Sequence, residues 1–233
     1  MSMVELSFPL RGTPLPYDNG YRLYQAVAGI VPWVREPAQV DLAIVPIQGT
    51  SHGGFIHLTK VSRLRFRLNA SDVAMLQPLA EQHLVIDAAT LRLGRPTEFR
   101  LRPDPGLMSL FVVAEHSRHS AEFLDWVRQQ LRALDIKAMP ALRRQRGRDS
   151  VSSPEGNRRS FDSPYARHHR QIGDNSVIGW EVQVFGLTPE ESVRLQEHGV
   201  GPGRRHGCGV FVPSEERRPR PRHDATGVWF PET

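Results

Sequence analysis

Apolar positions near the start of the chain fall two apart, then three or four apart. Val4, Leu6, Phe8 and Leu10 alternate with other residues and stop at Arg11-Gly12-Thr13-Pro14, which predicts a strand running into a loop. From Gly20 the positions Tyr21, Tyr24, Val27, Ala28 and Val31 recur at helical spacing, with Asn19 as a cap and Pro32 ending the run. Strands are expected over 42–47 and 55–68. In the second, Leu64, Phe66 and Leu68 oppose Arg63, Arg65 and Arg67, so one face is apolar and the other basic. A short helix over 73–80, capped by Ser71 or Asp72, and a strand over 84–93 complete the order β-α-β-β-α-β.

After a Pro-rich hinge, Arg102-Pro-Asp-Pro-Gly106, the order repeats. An apolar strand over 107–114 precedes a helix over 121–134 that places Phe123, Leu124, Val127, Leu131 and Leu134 on one side; a strand over 136–142 follows. Residues 143–176 are polar and weakly periodic, which reads as a long mobile insertion or a stretched hairpin. A strand over 177–187 leads to Thr188-Pro-Glu-Glu191, where Thr188 caps, Pro189 takes the first helical position and Glu191 completes a capping box. That helix ends at Gly199, and a Gly-rich loop leads to a last strand over 210–212. The fold class expected is α+β, two tandem ferredoxin-like halves of the kind RNA-recognition domains share. The boundaries are 1–101 for the first half and 107–213 for the second, with a basic insertion at 143–176, the loop at 199–209 and a basic Pro-rich tail at 214–233 that reads as disordered.

Composition narrows the function. Hydrophobic residues make up 39% of the 233, enough for a core. The net charge is +5, and nearly all the cation is arginine, since Lys60 and Lys137 are the only lysines. Arginine's planar fork grips phosphate or a guanine edge and stacks on bases, so nucleic acid is the partner class to test, although a GC-rich genome also raises Arg. Cys208 is the only cysteine, which excludes an intrachain disulfide and a cysteine-based zinc site and fits a reducing cytoplasm. No stretch approaches the roughly 20 apolar residues of a membrane span, so no membrane partner is expected.

The loop Gly199-Val-Gly-Pro-Gly-Arg-Arg-His-Gly-Cys-Gly209 holds five glycines in eleven residues, which lets backbone approach backbone or phosphate closely. It follows a helix and precedes a strand, the reverse of a dinucleotide-binding fingerprint. It is also open to reading as a tight turn alone. Together with Val210-Phe-Val-Pro213 it resembles the C-terminal glycine-rich signature of the CRISPR pre-crRNA-processing endoribonucleases. Tyr21-Arg-Leu-Tyr-Gln-Ala-Val-Ala-Gly-Ile-Val-Pro32 is similar to the first helix of members of that family that cut stem-loop repeats, and the nearest kin are variants of myxobacterial-type CRISPR systems.

This resemblance implies cleavage of repeat RNA by its own ribose, with no metal and no cofactor. A base takes the proton of a 2′-hydroxyl, which attacks the adjacent phosphorus and leaves 2′,3′-cyclic phosphate and 5′-hydroxyl ends. It further implies that the protein stays on the repeat stem-loop and joins other subunits of a CRISPR effector complex. Where several relatives carry the catalytic histidine of the first helix, this chain has Tyr24, whose ordinary pKa near 10 makes a poor base. Tyr24 and Tyr21 are then candidates to orient the ribose, and His52, in Thr50-Ser-His-Gly-Gly54, is the leading candidate base, with His57 in the strand that follows. The same departure leaves open a subunit that binds the stem-loop without cutting it.

For RNA binding, the stretch from Arg143 to Arg170 sets Arg143, Arg144, Arg146, Arg148, Arg158, Arg159, Arg167 and Arg170 against Asp149, Glu155 and Asp162. They are candidates for stem phosphates, with a solvated loop as the alternative. Gly201, Gly203, Arg204, Arg205, His206 and Gly207 of the loop are candidates to converge on one phosphate. The Gly-aromatic run of sheet-stacking RNA binders is absent, so recognition is expected through arginines and loops. Metal ligation by His168, His169 or His206 is disfavoured, because adjacent strand residues point to opposite faces and no acids stand at ligand spacing.

Overall fold

The computed structural model describes residues 2–36, 41–114, 119–144, 165 and 167–214. The first half runs β1 (Met3–Gly12), β2 (Leu15–Pro16), α1 (Gly20–Ile30), β3 (Ala43–Val45), β4 (Thr50–His52), β5 (Phe55–His57), β6 (Arg63–Asn69), β7 (His83–Ile86), β8 (Ala89–Leu93) and β9 (Thr97–Arg100). The second runs β10 (Gly106–Val113), α2 (Ser120–Ala133), β11 (Met139–Leu142), β12 (Arg167–Ile172), β13 (Asn175–Phe185), α3 (Pro189–His198) and β14 (Val212–Pro213).

The two main sheets have one topology. The first orders its strands β3-β6-β1-β8 and the second β11-β13-β10-β14, all antiparallel. Numbered within each half, both read second, third, first, fourth, with a helical segment after the first and third strands, which is the ferredoxin-like arrangement. In β1 the alternation buries Val4, Leu6, Phe8 and Leu10 against Leu23, Val27 and Ala28 of α1. A second core gathers Phe123, Val127 and Leu131 of α2 with Trp180, Val182 and Val184 of β13 and Leu195 of α3. The helix start at Thr188 forms as read, with its side chain accepting from Glu191 N and the Glu191 carboxylate accepting from Thr188 N.

Several elements differ from the periodicity. The helix expected over 73–80 is a 3₁₀ segment, Ala70–Leu79, with Pro78 inside it. The strand expected over 84–93 is the β7–β8 hairpin, turned at Asp87 with φ 54°. The strand over 55–68 breaks at Ser62, whose hydroxyl accepts from Thr59 N and donates to Gln48 O. The last strand is Val212–Pro213, with Val210 and Phe211 buried ahead of it. Of the segment 143–176, β12 pairs with β13 as a hairpin turned at Gly173.

The basic face read from Arg63, Arg65 and Arg67 is not free. Arg65 and Arg67 both donate to Glu5, and Arg67, 1% exposed, also donates to Gln196 O at 2.9 Å and Phe211 O at 2.6 Å in the other half. Ala43 and Val45 pack on Val210 and Val212 beside it, so this face of the first sheet is the seam between the halves.

Candidate active site

The seam brings the Gly-rich loop against the start of α1. All five loop glycines take φ between 63° and 87°. The chain doubles back so tightly that a Cβ on Gly199 would stand 2.3 Å from Gly209 O. On α1 a Cβ at Gly20 would stand 2.3 Å from His206 O, so only glycine lets the helix start touch the loop. No side chain caps that helix start, and its first turn holds no acid, which leaves the helix dipole available to an anion.

His206 is thereby set among aromatics. Its ring meets Tyr24 edge to face at 4.7 Å and Tyr21 at 5.5 Å between centroids, while Tyr21 and Tyr24 lie 6.3 Å apart. Burial first, then the charge of Arg205, holds the His206 imidazolium below its ordinary pKa, so at neutral pH the ring is an uncharged acceptor. His206 and Gly207 line a crevice at the seam with Tyr17, Asn19, Gly20 and Arg170. Its volume, about 30 Å³, holds a water or two and is too small to enclose a nucleotide.

The loop arginines do a different job from the one expected. Arg204 donates to the Asp41 carboxylate at 2.7 Å and to Glu197 O, and Arg205 donates to Val34 O and to Glu36 O at 3.2 Å. Arg67 and Arg204 together take two of the last carbonyls of α3, which a helix leaves without partners and which carry the negative end of its dipole. These arginines dock the loop and α3 on the first half instead of presenting open forks to one phosphate. Cys208 is buried under the loop and its thiol is pushed up to about 11, which makes it inert.

The chain matches the family model described as Cas6 Crispr over residues 4–216. The CRISPR-associated endonuclease Cas6 of Myxococcus xanthus (strain DK1622) is 31% identical over 214 residues, covering 91% of this chain and 82% of that one. The chain belongs to the Cas6 family. Two solved structures show its fold. The product of a Cas6-related gene from Pyrococcus furiosus gives a TM-score of 0.57 at 12% identity, over 93% of this chain and 100% of that one. A CRISPR associated protein Cas6 gives 0.58 at 10% identity, over 92% and 100%. The tandem ferredoxin-like architecture is therefore that of Cas6 proteins.

Within this Cas6 chain the expected site residues separate into groups. Tyr21 and Tyr24 of α1 meet His206, whereas His52 lies exposed on the β4–β5 hairpin with its ring 6.3 Å from that of His57. That hairpin reaches the crevice through Ile56, and at its tip Gly54 O accepts from Tyr17 N at 2.9 Å. Gly201 packs at the Trp126 ring and Gly203 at Cys208, so both serve the loop's shape. Arg170 is buried with its guanidinium 4.5 Å from the Phe111 ring centre, Arg167 lies 5.7 Å from that of Trp180, and Arg144 bridges to Tyr165. Arg146, Arg148, Arg158 and Arg159 lie outside the described residues.

One constellation was missed in the sequence. On the crevice side of β12, His168 Nε2 lies 2.9 Å from Glu181 Oε1, and Arg143 donates to Glu181 Oε2 at 3.1 Å. Burial first, with Glu181 adding to it, pushes the neighbouring Tyr17 phenol above its ordinary pKa. The available signal was a lone carboxylate in the apolar run Val177-Ile-Gly-Trp-Glu-Val-Gln-Val184. Among the described residues no three His, Cys, Asp or Glu are grouped to hold a metal ion, and no helix is long and apolar enough to cross a membrane.

Proposed function

We propose that the protein is an endoribonuclease that cuts CRISPR repeat RNA without a metal ion, by attack of a ribose 2′-hydroxyl on the adjacent phosphorus. The observation that carries this reading is the packing of His206 on Tyr21 and Tyr24 at the seam of a Cas6 family chain. The neutral His206 imidazole takes the 2′-hydroxyl proton. The O2′–P bond forms, the P–O5′ bond breaks, and the products carry 2′,3′-cyclic phosphate and 5′-hydroxyl ends. Tyr21 and Tyr24 hold the ribose, while the amides at the start of α1 and the Arg170 guanidinium face the phosphate. Its Myxococcus xanthus relative is named a CRISPR-associated endonuclease, which supports the substrate class. The product stem-loop stays bound, and the protein then serves as a subunit of an effector complex.

Repeat RNA from the protein's own locus, incubated in excess EDTA, is expected to be cut once and to give a fragment with a 5′-hydroxyl. A requirement for added divalent metal, or a 5′-phosphate on that fragment, would overturn the proposal. Tyr24 at the position of the helix histidine favours the second reading, a stem-loop-binding subunit that does not cut. Tight binding of RNA that stays intact would establish that instead.

Arg204 supplies a further prediction. Because its fork is engaged by Asp41 and Glu197 O, Arg204→Ala should cost about 1–3 kcal/mol of stability. It should leave the slope of log Kd for RNA against log salt unchanged, whereas a slope lowered by about one would return Arg204 to the phosphate.

A further inference from the structure

Beside the crevice stands a second histidine that the reaction above does not use, His168, whose ring meets the lining residue Tyr17. His168 and Arg170 stand two apart on β12 and so share one face of the strand. Arg170 lines the crevice together with His206. His168 sits one step farther along, its ring 6.4 Å from that of Tyr17, another lining residue. About a third of the His168 side chain is exposed, against 9% of the Glu181 side chain that it meets.

The pair is built at a cost the fold alone does not require. Glu181 places a carboxylate in the middle of a strand whose other face fills the second core, and burying such a group is unfavourable unless both oxygens find partners. They do: Oε2 takes Arg143 and Oε1 takes His168. An ionised carboxylate only accepts, so Glu181 fixes a proton on Nε2 and leaves Nδ1 as the edge with no hydrogen bond among the described residues. The arrangement is the one by which a carboxylate orients a histidine for proton transfer.

Resting on the endoribonuclease reading, we propose that His168, oriented by Glu181, is the general acid that protonates the departing 5′-oxygen. His206 receives the proton of the 2′-hydroxyl as the O2′–P bond forms. The doubly protonated His168 gives its Nδ1 proton to O5′ as the P–O5′ bond breaks, and Glu181 and Arg143 remain as they were. Solvent then returns one proton to His168 and takes one from His206, so the cycle closes without a co-reactant.

The test uses the full chain in single-turnover cleavage of repeat RNA and of the same RNA with sulfur in place of O5′ at the mapped cut. A thiolate leaves without being protonated. With the normal linkage, His168→Gln is expected to slow cleavage by about 10²–10⁴-fold, and with the sulfur linkage by less than about tenfold. Glu181→Gln should show the same pattern with a smaller loss, whereas His206→Ala should slow both linkages alike. The ratio of the two rates does not depend on how much of a variant is folded, and His168→Asn gives an independent value of it. Wild-type rates in His168→Gln, or an equal loss on both linkages, would overturn the proposal. If the wild type cuts neither linkage, the endoribonuclease reading fails first and the general acid with it.

Discussion

His206→Ala is expected to lower the single-turnover rate of repeat cleavage by about 10²–10⁴-fold while changing RNA affinity only slightly. The variant removes the ring that meets Tyr21 and Tyr24 but keeps the backbone carbonyl that seats against Gly20 and the glycines that shape the loop. Burial and the Arg205 charge oppose protonation of His206, so the acidic limb of the wild-type rate should lie below the ordinary histidine value of about 6.5. The same sign governs stability. The unfolded chain takes up the proton near pH 6.5 and the folded chain only lower, so this contribution is present above about 6.5 and is lost as pH falls toward the lowered value. His206→Ala should flatten that acid loss, which denaturant titrations at several pH values would measure. His52→Ala should cut at nearly the wild-type rate; if it is inactive while His206→Ala cuts normally, the base belongs to the β4–β5 hairpin.

Arg67→Ala is expected to destabilise the protein by about 3–5 kcal/mol, on the order of 10 °C in Tm for a chain of this length. Burial is the main cause that pushes the Arg67 guanidinium down to about 10, still charged at neutral pH, and Glu5 only partly compensates. Removing the side chain leaves Glu5 Oε2 without its arginine while Arg65 stays on Oε1, strands the carbonyls of Gln196 and Phe211, and empties the space of a large residue at the seam. Arg67→Lys should recover only part of the loss, since one ammonium on a flexible stem cannot replace a planar fork that reaches three partners. Unchanged thermal and urea midpoints for Arg67→Ala would mean that the halves are held by Ala43, Val45, Val210 and Val212 without it.

The sheet arginines and the loop arginines show where reading a chain one element at a time stops. Alternation along β6 correctly separates Leu64, Phe66 and Leu68 from Arg65 and Arg67, because a strand has only two faces. Alternation says nothing about what covers the polar face, and here it is the other half of the molecule. Arg204 and Arg205 were expected at phosphate for the same reason: a cation among glycines looks available until the carbonyls of α3 and of residues 34 and 36 are placed beside it.

Histidines divide along the same line. The order of helix, loop and strand placed the Gly-rich loop correctly in the second half, yet in sequence His206 is 182 residues from Tyr24, and no local pattern joins them. His52 lies nearer in sequence and packs with His57 instead.

By itself the sequence determined the two β-α-β-β-α-β orders, the capped start of α3, the Gly-rich turn and the arginine-rich character, all of which depend on residues within a few positions of one another. The tertiary structure alone decided which histidine meets the tyrosines, that Arg67 and Arg204 join the halves, and that Glu181 pairs with His168. Those outcomes depend on how two folded halves dock, and docking is set by complementary surfaces that the chain assembles from residues far apart.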